Sequence, residues 1–386
     1  MEPHTPVDHP RVVMDTQSSI SVSVILPVRN EAKSLPALLT SLLQQDFPAN
    51  RFEIIVADGV STDNTRDIVR NFASKSPVTI TLVDNPGIRS GPGRNAGVGV
   101  ARGEYILFID GHCHIPSTQL LRDTILLFKQ TQADCLCRPQ PLLAPTKSGF
   151  GAAVAAVRAS VLGHGRDSLI YDMTRSGFVD PASSGAAYRR SVFTKLGAYD
   201  QSFDACEDVE FNTRVRKSGM SAYTDPRLAV FYEPRSSLSS LIRQMLRYGR
   251  GRAKLVFKHP DCASPGQLAP PLLTLWIAGA LLASVSPIHI AAWVRWTLFA
   301  PIALYLVSML FSSLFLARKL AGRIFYHAPV IYLAIHIGLG IGIWTETIRR
   351  VALLFTQRSS LRTMGSSLLK LSRMLANKML QMEPRA

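Results

Sequence analysis

YILFIDGH, residues 105–112, is a short run of β-branched and aromatic residues that breaks off at an Asp-Gly pair. Such a run reads as a buried strand, and the turn that ends it puts Asp110 at the strand's carboxyl end. The same pattern stands upstream in FEIIVADG, 52–59, which ends at Asp58-Gly59. SVSVIL at 21–26 is a further strand, stopped by Pro27, and Val78 to Val83 supplies another. The segments between them have helical spacing. After Asn30 and Glu31, the residues Leu35, Leu38, Leu39, Leu42 and Leu43 share one side. Ser61 to Asn64 caps a helix whose apolar positions include Ile68, Val69 and Phe72. Gly91 to Gly97 reads as a glycine-rich turn leading into a short helix. Alternating strands and helices predict an α/β fold: a mostly parallel sheet, right-handed crossovers, helices on both faces. Ligands bind such sheets beyond the carboxyl ends of the strands. Asp58 and Asp110, beside the glycine-rich segment, therefore mark a polar site.

Asp110-Gly111-His112 is the centre of that site. A carboxylate and an imidazole two residues apart on a turn can face one cation. Mg²⁺ or Mn²⁺ bridging a diphosphate needs few protein ligands, because phosphate oxygens and water complete the shell. The imidazole nitrogen favours Mn²⁺. Alone, the tripeptide would be an ordinary turn; its place after a buried strand gives it weight.

Beyond residue 150 the pattern is less regular. Gly151 to Gly163 is rich in small residues, and Ser183 to Tyr188 is a polar turn into a short apolar segment. Glu207 to Arg216 reads as a helix, and Ser236 to Lys258 as a basic amphipathic one. Near residue 265 the composition changes. Leu268 to Pro287 and Thr297 to Ala317 are each uncharged over about the 20 residues a bilayer requires. Ile324 to Trp344 is a third candidate, carrying His327 and His336. Several such runs in succession favour membrane spans over a buried helical core. Arg318, Lys319 and Arg323 belong in the cytoplasm, which makes the first two spans an in-out-in pair. A third full span would place Arg349, Arg350, Arg358, Arg362 and Lys370 outside. Either that segment is re-entrant or interfacial, or the tail breaks the charge rule. The tail reads as amphipathic and suited to anionic lipid. The expected division is a tail at 1–20, a catalytic domain at 21–235, and a basic interface helix and linker at 236–265. A membrane region of two to three spans at 266–346 and the basic tail at 347–386 follow.

Lys plus Arg number 43 against 27 Asp plus Glu, a formal charge of +16. That excess calls for an anionic partner. No basic block with interleaved aromatics stands out, so a membrane surface and a phosphorylated ligand are favoured over nucleic acid. The 5 cysteines are odd in number and form no CxxC pair, which argues against a disulfide framework or structural zinc. Cys135 and Cys137 would share one face of a strand. Met1 to Ser19 is polar and lacks the basic and apolar blocks of a signal peptide, so the following domain is expected in the cytoplasm.

Six segments in order resemble the family 2 nucleotide-sugar glycosyltransferases of GT-A fold, from Ser23 to about Met220. They are SVILPVRNEA (23–32), EIIVADGVSTDNT (53–65), GPGRNAGV (91–98), ARGEYILFIDGH (101–112), SGAAYRRSVFTKLGAYD (184–200) and CEDVEF (206–211). The Asp-x-His form and the apolar C-terminal region look most like the glucosyltransferases that build succinoglycan-type exopolysaccharide. The resemblance implies an inverting transfer from a nucleotide sugar such as UDP-glucose to a lipid-linked or polymeric saccharide. The enzyme would sit in the inner (plasma) membrane, among other polysaccharide-assembly proteins. It implies that Asp58 holds the nucleobase or ribose, that Pro27 and Glu31 frame the nucleotide pocket, and that Arg94 approaches the phosphates. Asp110 and His112 would bind the metal. Asp208, with Glu207 beside it, would be the catalytic base, since a sugar hydroxyl is a poor nucleophile unaided. Gln244, Arg247 and Tyr248 (QMLRY) resemble the family's Q-x-x-R-W element, which helps hold donor phosphate and acceptor sugar. The chain departs from the pattern at Gly59, where a second Asp is usual, at Val60 for Gly, at His112 for Asp, and at Tyr248 for Trp. Two other readings stand beside this one. In one, polyprenyl phosphate itself is the acceptor. In the other, the chain is a non-catalytic membrane subunit, which the retained Asp110 and Asp208 and the few polar residues in the spans disfavour.

Overall fold

The computed structural model describes residues 20–380 apart from 145–148, 166–168, 183–184, 286–290 and 321–322; of 169, 292, 295 and 355–380 it describes only the backbone. Residues 1–19 of the expected N-terminal tail and the first two residues of the Ser183 turn thus fall outside it.

The first half alternates as expected: β1 (Val22–Val28), α1 (Leu35–Leu43), β2 (Phe52–Asp58), α2 (Thr65–Lys75), β3 (Thr79–Asp84), α3 (Ser90–Val100) and β4 (Tyr105–Phe108). These four strands are parallel, in the order β3-β2-β1-β4. The order reverses between β1 and β4, which opens a crevice at their carboxyl ends. Asp58 and Asp84 are register partners at the ends of β2 and β3, level with Val28. Alternate residues of β1 face opposite layers. Val22, Val24 and Leu26 pack with the leucines of α1, while Ile25 packs with Phe108, Tyr188 and Phe211.

The glycine-rich segment is helix, not turn. GPGRNAGV lies within α3, with Pro92 in the first turn, where a missing N–H costs nothing. Tertiary packing overrides glycine's poor helix propensity here. A Cβ on Gly97 would come within 2.3 Å of Ile25 Cγ2, and one on Gly93 within 2.9 Å of the Asn85 side chain. Glycine lets α3 lie flush on β1, and that close approach buries Arg94.

The second half follows: β5 (Cys113–His114), α4 (Leu120–Thr131), β6 (Cys135–Cys137), α5 (Phe150–Arg158), α6 (Val161–His164), β7 (Gly177–Val179), β8 (Gly185–Arg189), α7 (Arg190–Leu196), α8 (Glu207–Lys217), β9 (Ala222–Thr224) and β10 (Phe231–Tyr232). The sheet continues β4-β8-β6-β9-β7, with β8 antiparallel to both neighbours. Cys135 and Cys137 face the same layer, and no disulfide joins any of the five cysteines. β10 pairs with β5 in a separate ribbon, Tyr232 opposite Cys113.

Four long helices complete the chain: α9 (Leu238–Lys258), α10 (Pro265–Val285), α11 (Ala292–Lys319) and α12 (Ile324–Leu380). Among the described residues three segments are long and apolar enough to cross a membrane: Pro265–Val285, Trp296–Lys319 and Ile324–Leu354. The third differs from the others, with 44% of its most apolar window buried in protein against 11% for each of them. Its first turns pack on α5: Ala153, Val154 and Val157 share a cluster with Ala328, Ile331, Tyr332 and Ile335. Its later turns lie against α9, in parallel. A Cβ on Gly249 would meet Leu339 O at 2.3 Å, and one on Gly338 would meet Met245 Cβ at 2.8 Å. Arg350 stacks 5.2 Å over Phe257. His336 is satisfied within the fold by Tyr305 Oη at 2.8 Å and Leu162 O at 3.0 Å. α12 passes residues 346–347 without a break, so the basic tail starts as the same helix. No proline stands between Trp344 and Leu380 to interrupt it.

Candidate active site

A cavity of about 600 Å³ opens at the carboxyl ends of β1 and β4. It is lined by Pro27, Glu31, Arg94, Asp110, His112, Glu207, Asp208, Gln244, Arg247 and Tyr248. Of the residues singled out in the sequence, only Asp58 does not line it.

Asp110 follows β4 directly. Its Oδ2 accepts from Tyr232 Oη at 3.1 Å, and its Oδ1 lies 3.3 Å from Arg94 Nη2. Burial pushes the Asp110 carboxyl up, but Arg94, His112 and Arg138 outweigh it and hold the group below the usual carboxylate range. His112 Nδ1 lies 3.0 Å from Glu31 Oε1. That hydrogen bond raises the imidazole above its ordinary value against the effect of burial. Glu31 is itself fixed by Ser34 Oγ, which donates to Oε2 at 2.6 Å.

Arg94 joins the two carboxylate turns. Its Nη1 donates to Glu207 Oε1 at 2.8 Å while Nη2 faces Asp110. The guanidinium also lies 5.8 Å from the Phe108 ring centre and 5.5 Å from that of Tyr199. Burial would lower its pKa, but Glu207 and Asp110 hold it well above the ordinary value. Arg94 thus appears in the geometry as the pin between carboxylates.

Glu207 and Asp208 open α8 and have different surroundings. Glu207 is buried and also accepts from Ser90 Oγ at 2.5 Å. Burial raises its carboxyl despite Arg94. Asp208 is half-buried, and one of its oxygens accepts from the Val209 N–H at 2.8 Å. Among the described residues no cation lies within ion-pair distance of it. The chain enters α8 through Cys206 at φ 64°, a conformation unusual for a residue with a side chain. α9 braces this elbow: a Cβ on Gly251 would meet Ala205 O at 2.5 Å. The N-terminus of α8 thereby points at the cavity.

Asp58 sits one layer back. Its carboxylate is buried, bonded to Arg66 Nη1 at 2.9 Å and to the Ser61 N–H at 3.2 Å, while Oδ1 has no partner. Asn85 and Ile88, which do line the cavity, stand beside it: the Asn85 N–H donates to Asp58 O at 2.9 Å. Gln244 Nε2 donates to Tyr248 Oη at 3.1 Å, and Arg247 binds Asp204 Oδ2 at 3.0 Å.

The sequence reading missed Tyr232, Arg138, Arg158, His164 and Tyr171, which also line the cavities. Tyr232 reaches Asp110 only through the β5–β10 ribbon, and no local pattern announces a two-residue ribbon.

Among the described residues no group of three or more His, Cys, Asp or Glu side chains is arranged to hold a metal alone. The donor set nevertheless fits a divalent cation shared with a diphosphate. Asp110 offers a deprotonated carboxylate. The Glu31 bond to Nδ1 leaves Nε2 of His112 available, the arrangement that orients a ligating imidazole.

A family model for "Glycosyl transferase family 2" matches residues 23–197. The chain is 30% identical over 349 residues to the succinoglycan biosynthesis protein ExoA of Rhizobium meliloti (strain 1021), covering 88% of this chain and 99% of that one. It is 25% identical over 241 residues to a dolichyl N-acetyl-α-D-glucosaminyl phosphate 3-β-D-2,3-diacetamido-2,3-dideoxy-β-D-glucuronosyltransferase of Methanococcus voltae, covering 61% of this chain and 74% of that one. Among solved structures, the mannosyltransferase PcManGT of Pyrobaculum calidifontis, in complex with GDP-Man and Mn²⁺, superposes with a TM-score of 0.53. It is 20% identical, over 85% of this chain and 89% of that one, a likeness of GT-A fold. With a full-length relative at that identity and a cavity assembled from the matched segments, the chain belongs to the family 2 glycosyltransferases.

Proposed function

We propose that this enzyme moves a sugar, with inversion, from a nucleotide-sugar donor such as UDP-glucose to a lipid-linked or polymeric saccharide in exopolysaccharide synthesis. The observation that carries the reading is the shared cavity of Asp110 and Asp208, two turns far apart in sequence. Asp208 takes the proton of the acceptor hydroxyl while that oxygen bonds to the anomeric carbon and the bond to the donor diphosphate breaks. With no cation partner among the described residues, it is a proton acceptor instead of a fixed ion-pair member. Glu207 does not share this role; it holds Arg94, which orients Asp110. Asp110 and His112 would hold a divalent cation, Mn²⁺ before Mg²⁺, whose charge offsets that of the leaving diphosphate. Pro27 and Glu31 frame the nucleotide. Asp58, through the wall formed by Asn85 and Ile88, shapes the pocket for its base. Gln244 and Tyr248 flank the acceptor. A polyprenyl-phosphate acceptor remains the second reading, favoured by the apolar helices that reach the cavity through α5.

A donor screen in membranes tests this directly. EDTA is expected to abolish transfer and Mn²⁺ to restore it. His112→Ala is expected to raise the Mn²⁺ concentration for half-maximal rate about 10-fold, within the range for lost ligation or its support. An unchanged metal response would remove His112 from the site.

For the membrane, α10 and α11 form the crossing pair, and α12 lies against the catalytic domain along its apolar length. Phe257, in the helix that braces the active site, touches Arg350 at the start of the basic tail. The tail and catalytic domain then share the cytoplasmic side of the inner membrane, in keeping with the charge rule. A reporter fused after residue 386 is expected to be active only in its cytoplasmic form, as fluorescent protein and not as periplasmic phosphatase. The reverse pattern would require a third crossing.

A further inference from the structure

The cavity continues past Asp208 into a region that the chemistry above does not use. Its far wall is built from the end of α5, from α6, and from the middle of α9. Arg158, His164, Tyr171 and Arg252 line it. Arg158 lies 5.8 Å from the Tyr171 ring centre, and the His164 and Tyr171 rings are 5.2 Å apart. Among the described residues neither arginine has a carboxylate within ion-pair distance. Tyr171 Oη and Gln244 Oε1 are buried and lack a hydrogen-bond partner. Polar atoms closed off in this way call for a ligand group. Burial, with Arg158 and Arg252 beside it, pushes His164 down to about 4, so the positive charge here belongs to the two arginines at neutral pH. Arg252 also acts on Cys206, the elbow before Asp208. A basic residue ending α5 would complement that helix's dipole. Arg252 lies inside α9 and gains nothing of that kind.

The wall has an apolar border. Val157, next to Arg158, packs with Tyr332, Met309 and Leu316 of the apolar helices, and Ser160 Oγ lies 2.8 Å from Tyr332 Oη. Two guanidiniums with no carboxylate partner among the described residues thus stand where the catalytic cavity meets the helices suited to lipid. Guanidinium forks match phosphate oxygens bidentately.

We propose that Arg158 and Arg252, with Tyr171 as hydrogen-bond donor, form a second anion site that takes the diphosphate of a lipid-linked acceptor, separate from the donor diphosphate at Asp110. This rests on the transferase reading for the identity of the acceptor but not for the binding itself. The acceptor would enter from the α5–α12 border with its lipid among the apolar helices. Its saccharide would extend toward Asp208.

The test measures binding of tritiated farnesyl diphosphate to the full chain purified in detergent. Arg158→Gln and Arg252→Gln are each expected to weaken binding at least 5-fold and together about 30-fold, with the thermal midpoint moved by only a few degrees; bidentate charged contacts have this weight. Arg252→Lys should lose less affinity than Arg252→Gln yet fall short of wild type, since lysine keeps the charge but not the fork. Unchanged affinity in the double variant overturns the proposal. Should the glutamine variants fail to fold, the wild type decides. Farnesol must bind far more weakly than farnesyl diphosphate, and inorganic pyrophosphate must compete poorly. Equal binding of farnesol removes the anion site, and equal competition by pyrophosphate makes it a site for free phosphate instead of lipid. Sugar transfer is not read in any arm. A chain that binds farnesyl diphosphate as described yet transfers from no donor would sink the transferase reading alone.

Discussion

Asp208→Asn is expected to reduce sugar transfer by about 10²- to 10⁴-fold, the usual contribution of a positioned general base. The amide keeps the shape and can still accept the Val209 N–H that Asp208 Oδ1 accepts at 2.8 Å. It cannot take a proton. Binding of nucleotide sugar should survive, because the donor side of the cavity lies at Pro27, Glu31 and Asp110. The loss should therefore appear in kcat with little change in donor KM. Glu207→Gln gives the contrast. It replaces a carboxylate that accepts from Arg94 at 2.8 Å and from Ser90 at 2.5 Å, so its damage should include stability. Labelled nucleotide sugar supplied to membranes separates the two. Undiminished transfer by the Asp208 variant would move the base elsewhere.

Arg94→Met is expected to give the largest loss of stability of any single change at the site. Removing one partner of a buried ion pair costs about 3–5 kcal/mol, because the other charge is left uncompensated. Here two carboxylates lose their partner: Glu207, which is buried, and Asp110, whose side chain is partly shielded. The pH dependence has a definite sign. Without the guanidinium, burial raises the Glu207 carboxyl further above its unfolded value, while His112 and Arg138 still act on Asp110. A raised group contributes stability that is complete at low pH and is lost as pH rises through the folded value. The deficit relative to wild type should therefore widen as pH rises from the acid side, where Glu207 is protonated, to neutrality. In wild type Asp110 behaves in the opposite sense, since Arg94, His112 and Arg138 hold it low against burial; its contribution is complete at neutral pH and fades on acidification. Thermal unfolding in detergent across that range checks both statements. A pH-independent deficit would mean that the lost packing on Phe108 and Tyr199, not charge, sets the cost.

How much of this was legible in the sequence depended on whether a signal was local. Apolar runs ending in Asp-Gly placed β2 and β4 and put Asp58 and Asp110 at strand ends. The leucine spacing of α1 and the acidic start of α8 were likewise readable, because periodicity and capping are properties of neighbouring residues. The glycine-rich stretch at 91–97 misled. Glycine disfavours helix by its own propensity, and only contact with Ile25 and Asn85 reveals why α3 is helical there. Asp58, expected to hold the nucleobase or ribose, is buried one layer behind the cavity wall with its carboxylate bonded to Arg66.

The sequence by itself determined a parallel half-sheet with carboxylates at its rim, since strand burial and turn chemistry are written residue by residue. Only the tertiary structure decided that Arg94 pins Asp110 to Glu207 and that Tyr232 closes on Asp110. It alone showed that α12 shelters under α5 and α9 and that Arg158 and Arg252 stand near the lipid border. Those relations join residues far apart in the chain, and their energies come from close approach and burial, which no local pattern encodes.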